Sequence, residues 1–83
     1  ALRVLIAEDN EVNQRVAGDM LRRAGHTVHI VPDGRAALAA LDRETFDVVL
    51  MDLQMPQLNG LEATAEIRRR EGGGRSRLPI VAL

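Results

Sequence analysis

Eighty-three residues, 46% of them hydrophobic, allow one domain with one modest core, near the size where a single core is only marginally stabilising. A net charge of −1 gives no footprint of a nucleic-acid or membrane partner, and the lack of cysteine excludes disulfides and thiolate metal sites. No signal peptide or apolar run of transmembrane length is present, and every side-chain cation is arginine.

The chain opens on a short, β-branched apolar run, Leu2 to Ala7, which reads as a strand ending on the adjacent acids Glu8 and Asp9. Asn10 is a good N-cap for the helix that follows. In that helix Val12, Val16 and Met20, with Ala17, Leu21 and Ala24, make an apolar stripe that predicts cover for one face of a sheet, and Gly25 stops it. Thr27 to Val31 reads as an edge strand, and Pro32-Asp33-Gly34 as a turn in which Asp33 caps an alanine-rich helix over Arg35 to Arg43.

Asp47 to Gly60, DVVLMDLQMPQLNG, is the stretch the rest is organised around. Its run Val48 to Met51 is too short for a helix and reads as a strand buried on both faces of a parallel sheet. The run stops on Asp52 and gives way to a loop with Pro56 and an Asn59-Gly60 turn signal. Leu61 to Arg70 predicts a third helix with Leu61, Ala65 and Ile67 inward, closed by the glycines at 72–74, and Leu78 to Leu83 begins a fourth strand after Pro79. Strands alternating with helices imply right-handed crossovers, hence an α/β doubly wound parallel sheet. The last strand has no covering helix after it, so a partial domain over residues 1–83 is expected.

If the first and third strands are neighbours, Glu8, Asp9 and Asp52 meet at their C-terminal ends, where open α/β sheets place ligand sites. Three carboxylates that close repel one another, and oxygen ligands in a small cluster suit a hard cation such as Mg2+. An aspartate beside such a cation can attack phosphorus and form an acyl phosphate. On this reading Asp52 is the nucleophile, Asp9 ligates the metal, Glu8 orients metal-bound water, and the backbone carbonyl of Gln54 supplies a further ligand.

The segments IAEDNEVNQ and DVVLMDLQMPQLNGLEA resemble the two signatures of response-regulator receiver domains, closely so at Glu8, Asp9, Asp52, Pro56 and Gly60, with a flavour similar to receivers of hybrid sensor histidine kinases. The resemblance implies a flavodoxin-like sheet of strand order 2-1-3-4, lacking the family's last α-β-α portion. It implies Mg2+-dependent phosphotransfer to Asp52 from a phosphohistidine on a histidine kinase or histidine phosphotransfer domain, in the cytoplasm. The family's phosphoryl-binding threonine or serine would follow Leu83, and no lysine is present to stand for its strand-five lysine.

Two other classes compete. An aspartate-nucleophile phosphatase would carry a second acid at position 54, where this chain has Gln54. A binding module without chemistry would use the uncovered sheet edge for self-association. Outside the cluster the plain readings prevail. His26 and His29 are surface residues, Met51 fills core and Met55 anchors a loop, and Pro56 and Gly60 shape that loop. Arg68 to Arg70, with Arg75 and Arg77, form a solvated basic face at a helix end, and Asn13 and Gln14 lie near the acids.

Overall fold

The computed structural model describes residues 1–53, 55, 59–72 and 78–83. Four strands, β1 (Arg3–Ala7), β2 (Thr27–Val31), β3 (Val48–Met51) and β4 (Ile80–Ala82), alternate with three helices, α1 (Glu11–Arg23), α2 (Gly34–Arg43) and α3 (Gly60–Glu71). The strands pair in parallel in the order β2-β1-β3-β4, the order that the resemblance to receiver domains implies.

Because β1 sits inside the sheet, its whole apolar run is out of water; Val4, Leu5, Ile6 and Ala7 are all buried. Leu5 and Ala7, with Val49 and Met51 of β3, pack into one core with Ala37, Leu38 and Ala40 of α2 and Ala63 and Ile67 of α3. Ile6 points to the opposite side, where it lines a groove with Val16, Ala17 and Met20 of α1. In register, Ala7 faces Val31 of β2 and Met51 of β3, which levels the C-terminal ends of the three strands.

Helix α1 starts where Asn10 accepts the Asn13 backbone N–H at 3.0 Å, and its chain reverses through Gly25 at a φ of 94°. The stripe of Val12, Val16 and Met20 does not cover the sheet as expected; these residues are 65%, 54% and 67% exposed. Of the expected stripe only Ala17 and Leu21 are half-buried, beside Gln14 and the buried Gly18 that makes the contact. Gly18 decides the face, since a Cβ there would stand 3.0 Å from Ile30 Cδ1. Hydrophobic periodicity finds a stripe, but a small residue fixes where two elements come closest.

Helix α3 departs in the same way. Leu61 is 65% exposed and Ala65 is also outward, while Gly60, Ala63 and Ile67 face the core. Its start is set by a capping box in which Asn59 accepts the Glu62 N–H and Glu62 reaches back to the Asn59 N–H. The basic end is ion-paired and not merely solvated: Arg69 and Arg70 hold Glu66, Arg70 reaches Asp42 on α2, and Arg68 holds Glu71. Arg75, Arg77 and the glycines at 73 and 74 lie outside the described residues.

His26 accepts the Leu2 N–H through Nδ1, and His29 packs half-buried with its ring 6.0 Å from that of Phe46. Met51 and Met55 are both buried, as core filler and loop anchor should be. Among the described residues no helix is long and apolar enough to cross a membrane.

Candidate functional site

The backbone ladder runs one residue past each strand and delivers the acids side by side. Asp52 N–H donates to Ala7 C=O at 3.0 Å, Glu8 N–H to Val31 C=O at 3.0 Å, and Leu83 N–H to Met51 C=O at 2.9 Å. The β1–β3 pairing thereby joins residues forty-four positions apart, counting from Glu8 to Asp52. One carboxylate oxygen from each of Glu8, Asp9 and Asp52 lies within 4.8 Å of the others. The three acids singled out in the sequence are brought together.

Their surroundings differ. Glu8 is 4% exposed, the buried charged residue among those described, whereas Asp52 is half-buried and Asp9 faces solvent. Burial pushes the Glu8 carboxyl above the ordinary carboxylate range, and its hydrogen bond to Asp52 and the charges of Asp52 and Asp9 push the same way. The Asn13 side chain opposes this by donating from Nδ2 to Glu8 Oε1 at 2.7 Å. Gln14 completes the attachment of α1 to the strand end, its Nε2 donating to the Glu8 backbone carbonyl at 2.6 Å.

A second device fixes Asp52. A Cβ on Gly60 would run into the Asp52 carbonyl oxygen, and would lie 2.7 Å from its carbon and 2.8 Å from Leu53 Cα. The first turn of α3 therefore rests directly on the backbone that carries Asp52. The reach of Gly60 to the acid was not legible in the sequence; nor was the engagement of Asn13 and Gln14 with Glu8. Gln54, whose carbonyl was expected as a ligand, and Pro56 lie outside the described residues.

The family model described as response regulator receiver domain matches residues 4–83. The chain belongs to that family. Among curated relatives, this receiver is 43% identical over 72 residues to a probable histidine kinase 1 of Oryza sativa subsp. indica, covering 87% of the receiver and 7% of the relative. It is 40% identical over 86 residues to hybrid signal transduction histidine kinase I of Dictyostelium discoideum, covering 98% and 5%. The receiver thus spans less than a tenth of the length of these relatives. Among solved structures, the receiver domain of a sensor histidine kinase from Pseudomonas aeruginosa PAO1 superimposes with a TM-score of 0.89 at 44% identity, covering 99% of this chain and 66% of that one. That neighbour holds a magnesium ion coordinated in its active-site cleft.

The donor set of this receiver fits such an ion. All three convergent groups are carboxylates, the oxygen chemistry a small hard cation takes, and the charges of Asp52 and Asp9, which add to burial in raising the Glu8 carboxyl, are what a cation among them would offset.

Proposed function

We propose that this receiver accepts a phosphoryl group on Asp52 from a phosphohistidine of a histidine kinase or histidine phosphotransfer domain, with Mg2+ held by Glu8, Asp9, Asp52 and the backbone carbonyl of Gln54. The observation that carries the reading is the convergence of the three carboxylates at the C-terminal ends of β1 and β3. The magnesium-bearing receiver of the Pseudomonas kinase and the hybrid-kinase relatives support it.

Asp52 is the acid suited to attack: it is half-buried, and α3 rests on its backbone through Gly60. One of its carboxylate oxygens forms a bond to phosphorus as the bond from phosphorus to the donor imidazole nitrogen breaks, and the imidazole leaves with the electron pair. Bound Mg2+ supplies neutralisation of charge on the transferring phosphoryl group. Asp9, open to solvent, would ligate the ion directly, while Glu8, shielded and tied to Asn13, would orient metal-bound water. The reading includes a cytoplasmic location and regulation of a partner or output domain by the phosphorylated state.

Intact mass after incubation with a small-molecule phosphodonor tests it. A gain of one phosphoryl group is expected with Mg2+ and none without it, and none in Asp52→Asn under either condition. Equal labelling of Asp52→Asn would overturn the assignment.

A further inference from the structure

We infer that Asn13 is a positioning residue for the cation site, acting through Glu8. The inference rests on the proposed Mg2+ site and deepens it. Asn13 itself is exposed on the first turn of α1, and its backbone N–H is already used by the Asn10 cap. Helix initiation therefore does not require its side chain. That side chain instead turns inward, and Nδ2 donates at 2.7 Å to Oε1 of an acid that is 4% exposed.

The consequence is geometric. A buried carboxylate with a free choice of rotamers can turn away from two neighbouring acids, and repulsion from Asp52 and Asp9 favours doing so. The Asn13 amide fixes Oε1 of Glu8, on a carboxylate that has an oxygen within 4.8 Å of oxygens of both neighbouring acids. Gln14, one residue on, anchors the Glu8 main chain through its carbonyl, so the side-chain and backbone positions of the acid are held by consecutive residues. Groups that orient a metal's ligands commonly alter affinity by about ten- to a hundredfold when removed.

The test is the affinity of the chain for Mn2+, read by electron paramagnetic resonance of the free ion, with Mg2+ as competitor. Asn13→Ala is expected to weaken binding about tenfold or more. In a Glu8→Gln background the further loss from Asn13→Ala should shrink to less than about twofold, since the two residues act as a unit. A residue serving only to hold α1 in place would lower the unfolding midpoint in EDTA and leave Mn2+ affinity unmoved. Affinity of Asn13→Ala within twofold of the unsubstituted chain, or the same loss with and without Glu8, overturns the inference. If the unsubstituted chain binds Mn2+ and is phosphorylated while Asn13→Ala binds as well, only this inference falls. If the unsubstituted chain binds no divalent cation, the proposed function falls with it.

Discussion

Gly60 has no room for a side chain because the backbone of Asp52 occupies it. The contact is with main-chain atoms, which cannot swing aside as the end of a flexible side chain can. Gly60→Ala is therefore expected to destabilise the domain by roughly 2 kcal/mol or more, despite alanine's better helix propensity. Urea unfolding measures it, and a substitution within about 0.5 kcal/mol of neutral would show that the strand end and α3 separate at little cost.

Asp52→Asn removes a hydrogen-bonded, like-charged neighbour of the buried Glu8. In the absence of divalent cations the variant should be more stable than the unsubstituted chain, by a few degrees in Tm. Glu8→Gln should act in the same direction. A lower Tm for both variants in EDTA would mean that the acids are held together by something stronger than their repulsion.

Added Mg2+ should raise the Tm of the unsubstituted chain, by the equivalent of about 2.7 kcal/mol at a hundred times its Kd. Asp9→Asn and Asp52→Asn should each blunt that rise. Differential scanning calorimetry across a Mg2+ series, with a monovalent salt matched for ionic strength, separates binding from screening.

Glu66 provides a pH signature away from the site. Hydrogen bonds from Arg69 and then Arg70 hold its carboxyl down to about 2, against 4.5 for the free group. The unfolded chain therefore takes up this proton first as acid is added, and the folded state loses the pair's contribution as pH falls from roughly 5 towards 2. The Tm gap between the unsubstituted chain and Glu66→Gln should be constant above that window and close within it. Since the group is exposed, added salt should narrow the gap.

The outward stripe of α1 makes a paired prediction. Met20→Ala should change stability by less than about 0.5 kcal/mol, whereas Leu5→Ala, at a fully buried position, should cost roughly 2–5 kcal/mol. Comparable losses at the two positions would restore Met20 to the core.

Much of the fold was legible because apolar runs such as Val4 to Ala7 and Val48 to Met51 advertise strands, although in the second only Val49 and Met51 are fully buried while Val48 and Leu50 are half-buried, and Asn10, Asp33 and Gly25 mark helix ends by their own chemistry. Glu8, Asp9 and Asp52 could be paired once the two strands were taken as neighbours. Helix facing was legible only in part: Ile67 is buried and Ala17 and Leu21 half-buried as expected. Val12 and Leu61 look inward by periodicity, yet Gly18 and Gly60 determine which side approaches the sheet, and a glycine carries no hydrophobic signal. The Asn13 and Gln14 contacts were hidden for a related reason: polar residues on a first helical turn look the same whether they meet water or a buried acid.

The pairing of β1 with β3 ends on the three acids, so the central seam of the sheet is also where like charges press apart. The core built on Leu5 and Val49 closes directly beneath that crowded edge. On the proposed cation site, assembly of the domain and loading of the ion are coupled. With a divalent ion at the proposed site the two strands should meet faster than with the acids bare, a difference that refolding rates in Mg2+ and in EDTA measure.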